Sequence, residues 1–145
     1  MKNNRVIINK ELGIKLELIP GWSWRYDQID KVVLKGGPIF IYPDDDSYMS
    51  LTVSKAEKSL PNIMTGLKAK LAATNIPLKS AQEKIGEREF TTCELTVTED
   101  DMPMKIRAYY IQGKKGLLCF TLAAHSLLFD EAVAACVKVL EKLLV

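Results

Sequence analysis

The stretch LKSAQEKIGEREFTTCELTVTEDDMPMKIRAYYIQGKKGLLCFTLAA, residues 78–124, decides how this chain folds. Its side chains alternate with period two, the repeat of a strand whose successive residues point to opposite faces. Four strands are predicted, over Leu78–Ile85, Phe90–Thr98, Met104–Gln112 and Leu117–Ala124. Short turns at Gly86, Asp100-Asp101 and Lys114-Lys115-Gly116 join them into an antiparallel meander. The Asp100-Asp101 turn sets Cys93, Leu95 and Val97 opposite Ala108, Ile106 and Met104. A three-residue loop at Lys114-Lys115-Gly116, with glycine in the left-handed position, sets Tyr110 against Phe120 and Ala108 against Leu122. All of these side chains then form one continuous apolar face, with Cys119 on the other.

That other face is mixed. Glu94 lies across from Arg107 and Thr96 from Lys105, pairs suited to a partly solvated surface. Phe90, Tyr109, Ile111, Leu117, Cys119 and Ala123 share it, so part of it is expected to be covered.

Outward from the meander, Arg5–Asn9 and Gly13–Ile19 read as short strands, the second closed by Pro20-Gly21. Trp22 and Trp24 follow as a loop. Strands over Lys31–Lys35 and Ile39–Tyr42 flank the turn residues Gly36-Gly37-Pro38. The polar loop Pro43-Asp44-Asp45-Asp46-Ser47 leads to a strand in which Met49, Leu51 and Val53 alternate with Ser50, Thr52 and Ser54. A first helix is predicted from Leu60 to about Thr74, with Ser59 as N-cap, Pro61 in the first turn and a stripe of Ile63, Met64, Leu67 and Leu71. A second runs from about Leu128 to Leu144, its stripe including Phe129, Ala132, Cys136, Val137 and Leu140. The predicted class is α+β, an antiparallel sheet flanked by one helix on each face.

The 145 residues suit a single domain spanning 1–145. Twenty basic and 18 acidic residues leave a net charge of +2, which supports neither nucleic-acid binding by counterion release nor a polybasic lipid anchor. No stretch approaches the roughly 18 apolar residues of a membrane span. Three cysteines (Cys93, Cys119, Cys136), without a CxxC pair, suit a reducing compartment. With no secretory signal at the start, a cytoplasmic location is expected.

No residues assemble a catalytic, cofactor or metal site. His125 is the sole histidine, no nucleophile motif frames a serine, and its place between strand and helix suits a turn or capping role. Asp44-Asp45-Asp46 lacks calcium-loop spacing, and Glu99-Asp100-Asp101 is a second acidic tip. Gly36-Gly37 has no following helix to cradle a phosphate. The cysteines read as small buried hydrophobes.

Several short features together resemble the PsbP-like superfamily. They are the strand ending in Pro20-Gly21-Trp22, the strand Met49–Ser54 leading to Ser59-Leu60 and a helix, the turn Ile85-Gly86 followed by Phe90, and a closing strand that feeds a helix. That superfamily includes the photosystem II extrinsic subunit PsbP, the yeast Ran-GTPase release factor, and bacterial DcrB-like proteins with the Eag adaptors of type VI secretion. The resemblance implies an α/β/α sandwich and non-enzymatic binding, and it transfers no functional residue. The expectation is a non-catalytic protein-binding or adaptor module. The alternative is a small-molecule or lipid carrier with a pocket between the sheet and a helix. Candidate partner-binding residues are Trp22, Trp24, Phe90, Tyr109, Ile111 and Leu117, with Trp22 favoured for the core and Trp24 open. A homodimer through the sheet edge or the mixed face stays open.

Overall fold

A computed structural model of the chain describes residues 5–26, 28–29, 32–33, 38–44, 49–74 and 76–145. In chain order the elements are β1 (Val6–Asn9), β2 (Ile14–Glu17), β3 (Trp22–Tyr26), β4 (Gln28–Ile29), β5 (Val32–Val33), β6 (Ile39–Pro43), β7 (Met49–Lys55) and α1 (Leu60–Ala72). Then come β8 (Lys79–Ile85), β9 (Arg88–Glu99), β10 (Met102–Gly113), β11 (Gly116–His125) and α2 (Phe129–Glu141). Seven strands form one antiparallel sheet in the order β3-β6-β7-β11-β10-β9-β8. The strand over Lys31–Lys35 is represented by β5, which pairs with β4. Lys31, Leu34, Lys35, Gly36-Gly37, Asp45, Asp46 and Ser47 lie outside the described residues.

Turn chemistry explains the meander. Asp100 and Asp101 take φ of 48° and 63°, the two left-handed positions of a type I′ turn, whose twist matches that of the flanking strands. Aspartate tolerates this conformation better than a bulkier residue would. Gly86, at φ 62°, opens the two-residue loop between Ile85 and Arg88. The predicted pairs Cys93–Ala108, Leu95–Ile106, Val97–Met104, Glu94–Arg107 and Thr96–Lys105 are all present.

The next hairpin corrects the predicted register. Gly113 pairs with Gly116, so the loop is the two residues Lys114-Lys115 rather than three. Tyr110 therefore faces Cys119, Tyr109 faces Phe120, and Arg107 faces Leu122. One residue of slip exchanges the faces of a whole strand. Leu118, Phe120, Leu122 and Ala124, all fully buried, join Phe90 and Tyr109 instead of Cys93 and Ala108. Cys119 moves to the Cys93 face, and Leu117 and Ala123 move with it.

The buried side chains of β11 align with Leu51 and Val53 of β7 and with Ile39 and Ile41 of β6. On them lies α2, burying Phe129, Ala132, Cys136, Val139 and Leu140. Beside α2, the β1–β2 hairpin inserts Ile7, Leu12, Ile14, Leu16 and Leu18 into the same core. Asn9 shapes the hairpin tip by accepting the Leu12 N–H on its buried Oδ1 at 2.9 Å. The predicted helix through Leu144 stops at Glu141, because the chain then extends to pair with β2. Lys15 and Leu144 exchange N–H···O bonds of 2.8 and 2.9 Å, leaving Leu144 exposed. Trp22 and Trp24 sit on edge strand β3 rather than in a loop. Trp22 is 8% exposed and Trp24 packs partly buried against the core.

α1 occupies the opposite face, where Met64 and Cys93 sulfurs meet at 3.2 Å. None of its residues is buried. Ser59 starts it with extended backbone but no side-chain cap, and Pro61 takes the first turn. A helix about 10–12 Å wide covers only part of a sheet whose seven strands, spaced about 4.8 Å apart, span roughly 29 Å. On the other face α2 and the β1–β2 hairpin share that task.

Two outcomes follow. Phe120→Ala is expected to cost about 3–5 kcal/mol in urea unfolding, and a loss below about 1 kcal/mol would contradict its place in the core. In native-state hydrogen exchange α2 amides are expected to open only near global unfolding, and α1 amides far more readily. Equal protection of the two helices would contradict the one-sided core.

Candidate functional site

The face beneath α1 is an incompletely covered apolar floor. Leu95 and Val97 of β9, Met104, Ile106 and Ala108 of β10, and Leu117, Cys119 and Ala123 of β11 are all half-buried there. Ile63, Met64, Leu67 and Leu71 of α1 are half-buried as well. Thus neither the helical stripe nor the floor is fully withdrawn from water.

Cys93 and Cys119 lie in this floor and Cys136 in the core on the other face, none of them in a disulfide. Burial raises the pKa of Cys93, reinforced by Cys119 and opposed by Lys68. Burial also raises Cys119, against hydrogen bonds involving Thr121 and Tyr110. Cys136, inside α2, is pushed up to about 12 by burial. All three are therefore thiols at neutral pH, which disfavours nucleophilic or metal-binding use.

The α2 face has a second, polar region at one corner. The register places Lys79, Glu94 and Arg107 in one row across β8, β9 and β10, with Thr96 and Lys105 in the next. Arg107 donates from Nε and Nη2 to Glu94 Oε1 at 2.9 and 2.5 Å. Its Nη1 reaches the Tyr109 hydroxyl at 3.5 Å and lies 4.0 Å from Glu83 Oε2. Burial opposes the charge on Arg107, but the hydrogen bonds to Tyr109 and Glu94 outweigh it and raise its pKa. Burial likewise raises the pKa of Tyr109. The Arg107 guanidinium and the Lys105 ammonium each lie 5.4 Å from the Phe129 ring centre, where α2 begins.

α2 starts at this ring and its Glu141 end lies against the Gly86 turn, which leaves the corner open. A cleft of about 300 Å³ is lined by Lys79, Ser80, Ala81, Thr92, Glu94 and Arg107. A smaller one of about 140 Å³ adjoins it and adds Pro77, Leu95, Thr96 and Lys105. Alternation alone does not reveal this site, since its residues read as ordinary solvated strand positions. The signal available was the pairing of Glu94 with Arg107.

The sequence-derived candidates separate on this framework. Phe90 and Tyr109 are fully buried under α2, their rings 6.4 Å apart and edge to face, with Phe120 6.5 Å from Phe90. Burial closes both to a partner, which corrects their assignment to an accessible face. Trp22, Trp24 and Ile111 also belong to the α2-side core or its margin. Of the six, Leu117 alone lies on the α1-side face, so no one surface unites them. A pocket lined jointly by Phe90, Ile111 and Leu117 is excluded for the same reason. His125 accepts the Leu127 N–H on Nδ1 at 3.1 Å, the capping role expected of it. The neighbouring Ser126 hydroxyl is buried with no hydrogen-bond partner among the described residues, so it is not engaged by the imidazole. Among the described residues no three His, Cys, Asp or Glu side chains group as a metal site. No helix among them is long and apolar enough to cross a membrane.

No protein-family model and no curated protein matches the sequence. Solved structures do match. A protein of Bacteroides thetaiotaomicron superposes with TM-score 0.66 at 11% identity, over 99% of this chain and 48% of that one. The chain thus spans about half the length of that relative. Cyanobacterial PsbP (CyanoP) of Synechocystis sp. PCC 6803 superposes with TM-score 0.60 at 13% identity, over 97% of this chain and 91% of that one. LpqN of Mycobacterium tuberculosis, described as involved in cell envelope biogenesis, gives TM-score 0.46 at 10% identity, over 90% and 81% of the two chains. An antiparallel sheet between two helices, in the topology shared with CyanoP over nearly the whole of both chains, is the PsbP-like fold, and this chain has it.

Proposed function

We propose that this chain is a non-catalytic binding module whose partner is another protein, docking on the sheet face that α1 only half covers. The observation that carries this reading is the contrast between the two helices. α2 buries five residues and α1 buries none, although both have apolar stripes. A continuous surface of half-buried apolar side chains suits a protein interface better than it suits bulk water. The fold shared with CyanoP is compatible with a binding role but assigns no partner, because a fold carries many functions. A carrier of a small apolar molecule is the second reading, favoured by the half-buried stripe of α1 facing the half-buried floor. Native mass spectrometry separates the two: a bound small molecule supports the carrier, and a protein complex supports the module.

The direct test uses affinity capture from extract of the source cells. Ile106→Ser and Leu117→Ser are each expected to weaken capture by about tenfold or more, the scale of an interface anchor. Ile8→Ser, on the exposed outer side of the β1–β2 hairpin, is expected to leave capture unchanged. Full capture by both floor variants, with the fold intact by circular dichroism, would overturn the choice of face.

A further inference from the structure

The geometry points to a second binding site, on the opposite side of the sheet from the proposed docking face: a pocket for a small oxyanion, carboxylate or phosphate, at the Lys79–Glu94–Arg107 corner. Three observations converge there. First, two adjoining clefts of about 300 and 140 Å³ share Lys79 and Glu94 and together gather three cations, Lys79, Lys105 and Arg107, around one carboxylate. The larger is the size of a small-metabolite pocket.

Second, both carboxylates beside the site are engaged by Arg107, with Glu83 Oε2 4.0 Å from its Nη1, and neither is paired with a lysine among the described residues. Glu94 is committed to Arg107, which places two donors on its Oε1. Lys79 and Lys105 form no ion pair among the described residues. Lys105 and Arg107 are drawn to the same Phe129 ring although their charges repel. An anion between Lys79, Lys105 and Arg107 would relieve that repulsion, whereas a cation would add to it.

Third, Arg107 is pre-positioned. The Glu94 contact holds the guanidinium in place, with Arg107 and Glu94 side chains only 23% and 17% exposed. Glu94 therefore acts as a positioning residue for Arg107, and Arg107 and the two lysines line the clefts. Thr96 lines the smaller cleft with a hydroxyl that can donate to an oxygen, whereas the buried Thr92 hydroxyl of the larger cleft donates to the Ala81 carbonyl at 3.4 Å. Asp130 and Glu131 in the first turn of α2 are exposed and form no ion pair with the three cations among the described residues.

The test is titration of the intact chain, isotope-labelled, with inorganic phosphate and separately with succinate, followed by amide chemical shifts. Saturable shifts confined to residues 79–81, 92–96 and 105–107 are expected, with affinity on the order of 1 mM or tighter. The double variant Lys79→Gln/Lys105→Gln, at solvent-accessible positions that spare the Arg107–Glu94 pair, is expected to lose about tenfold or more of that affinity. Phosphate alone binding would assign phosphoryl chemistry to the site, succinate alone would assign carboxylate chemistry, and both support the pocket. Shifts reproduced by chloride at equal ionic strength, shifts unchanged in the double variant, or no saturable shift with either probe would overturn it.

Discussion

The packing of β11 against α2 is the interaction on which the other layers depend. β11 is the middle strand of seven, and four of its ten residues, Leu118, Phe120, Leu122 and Ala124, are fully buried on one side. They align with the inward residues of β7, β6 and β10, and the stripe of α2 closes over them. Period two makes this arrangement all-or-none. Had Gly113 and Gly116 been separated by one more residue, Phe120 and Leu122 would face α1, and α2 would rest on half-polar positions.

A core concentrated on one side leaves the two faces with different properties. On the α2 side the β1–β2 hairpin fills the width that one helix cannot, and the Lys15–Leu144 bridge ties it to the end of α2. Arg88 adds a hydrogen bond from Nη1 to the Leu143 carbonyl at 2.6 Å, fastening the same corner to the β8–β9 turn. On the α1 side no second element among the described residues assists the helix, so the floor stays half-covered. The diagonal path of α2 also exposes the polar corner of its own face. Both incompletely covered surfaces are thus by-products of where the core lies. The charged outer strand β8, with Lys79 and Lys84, suits an edge protected against unwanted pairing.

Much of the architecture is legible in the sequence. The class, the meander, the β9–β10 register, the two amphipathic helices and the capping role of His125 all follow from alternation, helical spacing and turn residues. The error came from one ambiguous turn. Lys114-Lys115-Gly116 suits a three-residue loop as well as a two-residue loop flanked by glycines, and local chemistry does not choose between them. The candidate binding residues inherited that error. Phe90 and Tyr109 were placed correctly on the face of Glu94 and Arg107, but the partner strand supplied aromatic and aliphatic neighbours that turned a mixed face into the core. The polar corner was equally hidden, because Lys79, Lys105 and Arg107 are 26 and 28 positions apart from first to second and third, and only strand order makes them neighbours.

By itself, the sequence determined which segments become strands and helices, since those choices rest on local periodicity and on residues such as Asp100-Asp101 and Pro61 that favour particular backbone angles. It also determined that each helix has one apolar stripe. Tertiary structure alone decided which face of the sheet each stripe meets, how completely it is buried, and which charged side chains share a cleft. Those outcomes depend on pairing between distant strands and on the area that each covering element can span. No local pattern encodes that information.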